Sequence, residues 1–482
     1  MRQTLPARPT LNMVISSLIA ILLLAAAPSA ATEIMSLAWD YTGAETGDLL
    51  GYAVNTAGDV NNDGFADIII GAPKETDTVD REGVVHIFHG GPNKPDTPDR
   101  SLSSHEKGSE FGGAVSTAGD VNGDGFDDVI IGAPSFKNDT TQAGAIFVYH
   151  GSGGGIGSTP DWHFVSQLGG INLGISVSSA GDVNGDGFAD VIVGASEYLS
   201  GTVTYGGAYL FFGSTTGLTD TARQILTGTQ ANARFGFAVS GAGDVNGDGY
   251  SDVIIAAPKY DDAEAEDVGA VFVYFGSETG LDLDTPWSYV GDEIDLSLGA
   301  AVSAGDVNGD GYSDIIIGSA PADPVLQASR VLGFYGASTG PGAIPNWQRS
   351  GPENGSGFGR SVAGAGDVNG DGFDDVLVGA YRYTADQREE GAAFIFFGSE
   401  SGPGQLAGWQ TEGNKAETWF GYATGPGGDT NNDGYADIII GAPQYRVDYK
   451  DVRGRAVVYL GTEHAGDGPI YQIYLPLVIK NN

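Results

Sequence analysis

The sequence predicts an all-β fold, a seven-bladed β-propeller of four-stranded antiparallel blades, on three observations. The spelling Asp-x-Asn-x-Asp-Gly-Phe/Tyr-x-Asp occurs seven times, opening at Asp59, Asp120, Asp182, Asp244, Asp306, Asp367 and Asp429, at intervals of 61 or 62 residues. Between these loops lie short β-branched and aromatic runs bounded by Gly, Pro or Asp, with no helical period. A segment spelled like an outer strand precedes the first loop, and no comparable one follows the last. Self-similarity at a fixed long period identifies a solenoid, propeller or array, so the 482 residues need not divide into three domains.

The amino terminus reads as a processing signal over residues 1–31. Arg2 and Arg8 precede an apolar stretch from Met13 to Ala27, and the small residues Ser29, Ala30 and Ala31 suit a signal-peptidase cut near Ala30 or Ala31. The purely apolar core, Leu18 to Ala27, is short for a membrane span of roughly 20 residues, and Ile470 to Ile479 is also too short and carries Gln472 and Pro476. A secreted or cell-surface location follows, with no transmembrane segment in the mature chain. The absence of cysteine removes disulfides, thiolate metal sites and a cysteine nucleophile, which leaves metal as the staple of an exported chain.

The second unit shows what one blade is made of. Phe111-Gly112-Gly113-Ala114-Val115-Ser116-Thr117-Ala118-Gly119 leads into the loop at Asp120, and Val129-Ile130-Ile131-Gly132-Ala133-Pro134 leaves it. After a variable stretch come Gly144-Ala145-Ile146-Phe147-Val148-Tyr149-His150-Gly151 and a weaker segment around Trp162. Four such strands in about 62 residues fit a propeller blade better than a sandwich, because radial repetition leaves only short, protected sheet edges. Glycine recurs at fixed places in the unit, where close approach of strands near a central axis excludes a Cβ.

A ring must close. Ser36-Leu37-Ala38-Trp39-Asp40-Tyr41-Thr42-Gly43 matches the outer-strand spelling Pro286-Trp287-Ser288-Tyr289-Val290-Gly291, while the seventh unit ends at Leu460-Gly461 without a Trp segment. The strand around Trp39 is therefore expected to complete the seventh blade; Tyr471 to Ile479 is the other candidate. The propeller spans 37–461, and 462–482 forms a C-terminal tail.

The loops are the candidate metal sites. Positions 1, 3, 5, 7 and 9 are Asp59, Asn61, Asp63, Phe65 and Asp67 in the first, and Asp120, Asn122, Asp124, Phe126 and Asp128 in the second. Asp182, Asn184, Asp186, Phe188 and Asp190 form the third, and Asp244, Asn246, Asp248, Tyr250 and Asp252 the fourth. The fifth has Asp306, Asn308, Asp310, Tyr312 and Asp314; the sixth Asp367, Asn369, Asp371, Phe373 and Asp375; the seventh Asp429, Asn431, Asp433, Tyr435 and Asp437. Calcium takes 6 to 8 oxygen ligands from carboxylates, amide oxygens, backbone carbonyls and water. Side-chain oxygens at 1, 3, 5 and 9 and the carbonyl at 7 converge on one point, and Gly at 6 permits the sharp turn. Closure at 9 instead of a Glu at 12 separates these loops from a helix-flanked EF-hand. One Asp-Asn-Asp-Gly cluster alone is compatible with an ordinary Asx turn; seven complete copies point to up to seven Ca2+ ions. Magnesium fits less well, since it demands a stiff octahedron and keeps its waters.

Charge agrees with this. The chain carries 62 acids against 22 bases, and without residues 1–31 the balance is 62 to 20, a formal charge of −42. Three aspartates per loop supply half of that excess, and seven divalent ions would return it to −28. Such a surface repels nucleic acid and leaves cations, basic patches or neutral ligands as partners.

Phe111-Gly112 with Gly132-Ala133-Pro134, and Phe420-Gly421 with Gly441-Ala442-Pro443, resemble the FG-GAP repeat of the propeller that begins integrin alpha subunits. Other units drift, as at Leu50-Gly51, Leu173-Gly174, Leu298-Gly299, Ala195-Ser196 and Ala380-Tyr381. The resemblance implies calcium in the loops on a lower face and ligand contact on the upper face, formed by loops between strands 2 and 3 and between blades. Integrin propellers usually carry calcium loops in only some blades, whereas all seven are complete here, and the even spacing leaves no room for an inserted adhesion domain.

No catalytic constellation is legible, and the protein is expected not to be an enzyme. His89 and His150 stand where other units have Phe212, Phe275 and Phe397, which assigns them to packing; His86, His105, His163 and His464 read as isolated. An unidentified protein or glycan ligand is expected on the aromatics of the variable loops, Phe136, Tyr198, Tyr205, Tyr260, Tyr381, Tyr383, Tyr445 and Tyr449. A carbohydrate-active propeller and a purely structural calcium-stiffened module are the alternatives. A monomer is expected.

Overall fold

The computed structural model describes residues 35–463 except 94, 96, 139, 140, 201, 202, 222, 322–327 and 449. The segments 1–31 and 464–482, including Tyr471 to Ile479 and His464, lie outside the described residues, as does Tyr449. Seven four-stranded antiparallel sheets follow one another along the chain. The first blade runs Ala53–Gly58, Asp67–Ala72, Val84–Phe88 and Arg100–Ser103, adjacent strands pairing in that order. The next five blades repeat this order. The first strand of each blade touches the first strands of the blades before and after it, and those of the seventh and first blades touch each other, so the ring is closed. No helix among the described residues is long and apolar enough to cross a membrane.

The strand spellings follow from where each strand lies. Second and third strands such as Asp128–Ala133 and Ala145–Tyr149 are buried along their whole length, because a neighbouring blade covers each face; they read as continuous apolar runs instead of alternating ones. The outer strand Trp162–Val165 is half-exposed. The core is accordingly not one mass but a series of clusters between adjacent blades. One of them joins Ile69, Val85, Ile87 and Leu102 of the first blade to Val115, Val129, Ile131 and Tyr149 of the second.

Close approach of blades explains the Gly of Gly-Ala-Pro. A Cβ on Gly132 would stand 2.1 Å from the carbonyl oxygen of Gly174 in the third blade, and one on Gly441 2.0 Å from that of Gly51. The fourth blade has Ala256 there, and it faces Gly299. Gly132→Val is therefore expected to cost about 3 kcal/mol, with Gly132→Ala milder. Chemical denaturation in saturating calcium checks the order, and a Val variant as stable as wild type would mean that the blades are free to move apart.

Closure uses the amino-terminal strand. Met35–Thr42 pairs antiparallel with Arg455–Gly461, Trp39 lying opposite Val458, and forms the outermost strand of the seventh blade. Trp39 is 6% exposed and packs with Leu50, Val54, Ile68 and Phe88 of the first blade, so the strand bonds to the last blade while its ring packs on the first.

Candidate functional site

Each Asp-rich loop is the turn between the first two strands of its blade, so all seven lie on one face. In the second loop Asp120 Oδ1 accepts the N–H of Gly123 at 2.6 Å and of Asp124 at 3.1 Å, and its Oδ2 accepts that of Gly125 at 2.8 Å. Asn122 Oδ1 accepts the Asp124 N–H at 2.9 Å and Asp124 Oδ1 the Phe126 N–H at 3.1 Å. The other six loops repeat the Asp bond to the glycine at position 6, the Asn bond and the position-5 Asp bond, as in the first and the seventh. Position 4 carries a positive φ in every loop, on Gly in five and on Asn62 and Asn432 in the others, Asn being one of the few residues that tolerates it.

The aspartates at position 9 are the unusual members. Asp67, Asp128, Asp190, Asp252, Asp314, Asp375 and Asp437 are all 0% exposed. Each binds two backbone N–H groups: Asp128 Oδ2 accepts from Val121 at 3.0 Å and Oδ1 from Gly151 at 2.9 Å. These carboxylates fasten the loop to the end of the third strand. Burial pushes Asp67, Asp128, Asp190, Asp252 and Asp314 up to about 7, Asp375 to about 8 and Asp437 to about 6, against the opposing pull of their N–H donors. No ion pair among the described residues reaches them. A buried, hydrogen-bonded carboxylate without a cationic side chain, in a loop that carries three further oxygen side chains, is by its chemistry a donor set suited to a hard divalent cation.

The loops are also bonded to one another, which the repeat spelling does not reveal. The carbonyl at position 1 accepts the position-8 N–H of the next loop in all seven cases, from Asp127 to Asp59 at 3.2 Å through to Ala66 to Asp429 at 2.9 Å. Where position 4 is glycine, in five loops, the aromatic ring at position 7 of the next loop lies over it, as Phe188 over Gly123 and Tyr250 over Gly185. Position 7 thus has two roles: its carbonyl is the proposed ligand and its ring bolts two blades together.

The opposite face carries the connections between strands 2 and 3 and between blades. Five of the predicted ligand aromatics, Phe136, Tyr198, Tyr260, Tyr383 and Tyr445, occupy one turn position. Each donates its N–H to the last residue of its second strand and accepts from the glycine before the third, as in Phe136 to Ala133 and Gly144 to Phe136, both at 3.0 Å. Their rings are partly buried against inter-blade clusters, so packing accounts for them. Tyr205 is also partly buried.

Tyr381 differs. It lies 5.6 Å from both Trp419 and Tyr422, Tyr422 lies 5.2 Å from Tyr52, and the guanidinium groups of Arg360 and Arg382 cover Tyr422 and Tyr381 at 5.2 Å each. Tyr52, Arg360 and Tyr422 stand at the start of the first strands of blades 1, 6 and 7, so this half-buried patch lies at the mouth of the central axis. Only Tyr381 was picked out by the sequence. Arg next to aromatic residues at equivalent first-strand positions was the available signal.

Two of the histidines need correction. His89 and His150 pack beneath Gly155 and Gly217 of the following blade, as Phe212 packs beneath Gly280, and His163 stacks on Phe147 at 6.0 Å. His86, however, is not isolated: it is buried, with Nε2 2.9 Å from Glu75 and Nδ1 2.9 Å from Ser101 Oγ. His105 likewise faces Glu82 at 3.5 Å. Both partners lie on the strand 2–3 connection of the first blade, far enough along the chain to escape a local reading.

The FG-GAP repeat family model matches residues 50–88, 111–149, 173–211, 235–274, 298–342, 358–396 and 420–459. The chain is 33% identical over 254 residues to phosphatidylinositol-glycan-specific phospholipase D of Bos taurus, covering 49% of this chain and 29% of that protein. It is 32% identical over 237 residues to integrin alpha-5 of Xenopus laevis, covering 47% of this chain and 21% of that one. The match to integrin alpha-IIb of Mus musculus is 36% over 163 residues, 32% of this chain and 16% of that one. The chain thus spans less than a third of the length of each of these relatives. Seven matched segments, one for each blade and each containing its Asp-rich loop, show that the chain belongs to the FG-GAP repeat family.

Proposed function

We propose that this is an exported calcium-holding propeller that recognises a protein or glycan at or outside the cell surface, using the face opposite its Asp-rich loops. Residues 1–31 act as the export signal, 37–461 as the propeller and 462–482 as a tail. The observation that carries the reading is the patch of Tyr52, Tyr381, Trp419 and Tyr422 with Arg360 and Arg382. Aromatic and Arg side chains dominate interface energetics because they bury large areas at low entropy cost, and this set is half-buried and assembled from three blades at the axis. Calcium stiffens the opposite face and takes no part in chemistry. The protein works by binding, and the activity named in the phospholipase relative is not carried over, given the small share of that protein spanned.

The test is a triple variant, Tyr381→Ser, Trp419→Ser and Tyr422→Ser, compared with wild type on a glycan array and in pull-downs from cell-surface extract. Binding at least tenfold weaker is expected, with calcium content unchanged. Retained binding by a folded triple variant would place the ligand elsewhere on the molecule.

A further inference from the structure

On the face away from the calcium loops, Asp77, Glu82 and His105 bring their ligand atoms within 4.8 Å of one another. Glu82 is 0% exposed. Its Oε1 accepts the backbone N–H groups of Asp77, Thr78 and Val79 at 3.1, 2.5 and 2.8 Å. Its Oε2 is buried without any hydrogen-bond partner and lies 3.5 Å from His105 Nδ1. That same nitrogen is 3.1 Å from Thr78 Oγ1 and 3.2 Å from Ser103 Oγ, and Ser103 Oγ donates to Asp77 Oδ2 at 3.2 Å. His105 is 65% exposed, so the group is open to solvent on one side.

The sixth blade supplies a comparison within the molecule. Glu390 holds the N–H groups of Ala385, Asp386 and Gln387 at 3.1, 3.0 and 3.0 Å, and its Oε2 is also unpartnered. Organising the loop therefore explains why a Glu stands at both places. It does not explain Asp77 and His105, whose counterparts are Ala385 and Asn414.

We infer that Asp77, Glu82 and His105 form a binding site for a borderline divalent transition-metal ion, with Zn2+ the best match, separate from the seven calcium loops. One imidazole with two carboxylates suits Zn2+ at about 2.0–2.2 Å from each ligand and disfavours Ca2+, which takes oxygen. Two such bonds in a tetrahedron place donors about 3.3–3.6 Å apart, so the site needs only a small contraction of exposed side chains around the fixed Glu82. The ion would occupy the unpartnered side of Oε2, and solvent or a ligand oxygen would complete its shell.

The experiment uses the full chain in millimolar Ca2+, so that the loops are filled, and titrates it with Zn2+ by calorimetry and with Co2+ by visible absorption. The expected result is one additional ion per chain, without release of calcium, and a Co2+ spectrum showing nitrogen ligation. His105→Ala and Asp77→Ala are each expected to weaken zinc binding at least tenfold while leaving calcium content, and the melting temperature in zinc-free calcium buffer, unchanged. Glu82→Gln is a poorer probe, because it also disturbs the loop that Oε1 holds. Three results would overturn the inference: no zinc uptake in excess calcium, uptake matched by calcium release, or a His105→Ala variant that binds as tightly as wild type. If His105 and Glu82 form only an ion pair, the first of these is found, together with a lower melting temperature for His105→Ala.

Discussion

Excess EGTA is expected to lower the melting temperature by about 10 °C or more, a larger effect than that of any single surface substitution. A cation bound only to the folded state contributes RT ln(1 + [L]/Kd), about 1.4 kcal/mol for each site at ten times Kd. Seven sites then contribute about 10 kcal/mol, comparable with the roughly 5–15 kcal/mol that stabilises an ordinary domain. With an unfolding entropy of about 2.1 cal/mol/K per residue, that amount corresponds to the shift stated. The buried aspartates at position 9 are part of that term and not an addition to it, since without the ion each carboxylate stands in a site where burial pushes its proton affinity up. Asp124→Ala should remove one ion of the seven and, through the bond from Ala189 to the Asp120 carbonyl, loosen the next blade most. Calorimetric scans in calcium and in EGTA, with metal analysis after dialysis, check both statements. Identical melting curves, or far fewer than seven ions, would remove calcium as the staple.

Trp39→Ala should cost about 4 kcal/mol, the middle of the range for truncating a buried aromatic. Trp39 is 6% exposed and its ring lies 4.9 Å from that of Phe88 across the seam where the chain ends meet. Its strand is held by the last blade and its side chain by the first, so the cavity weakens the anchoring of the one outer strand that no chain connection joins to the strand it pairs with, Arg455–Gly461. Trp287, at the matching outer-strand position of the fourth blade, is half-exposed, and Trp287→Ala should cost about half as much. Denaturant unfolding of both variants in saturating calcium gives the comparison. Equal costs would mean that closure places no special demand on Trp39.

What was legible from the chain alone has a common property: its contacts are local or repeated. Asp120, Asn122 and Asp124 bond to amides two to five residues away, so the loop can be read from nine letters. The closing strand, although it pairs residues more than four hundred positions apart, was legible because Trp39 repeats the spelling around Trp287. The tyrosines of the strand 2–3 connections show the limit of the same reading. Tyr198, Tyr260, Tyr383 and Tyr445 recur at one turn position because the turn needs a ring to cover its blade, and that need is invisible without the neighbouring blade.

The sequence by itself determined the number of blades, the order of strands, the seven oxygen-rich loops and the strand that closes the ring, since each is specified within one repeating unit and amplified by repetition. Only the tertiary structure decided which blades' exceptions meet. The ring of bonds from each loop to the next, the patch joining Tyr52 and Arg360 to Tyr381, Trp419 and Tyr422, and the approach of His105 to Glu82 all depend on residues where a unit departs from the repeat or touches its neighbour. A repeat fixes the position of a side chain within its blade, but closing the ring sets the distances between blades, and those distances decide which side chains share a site.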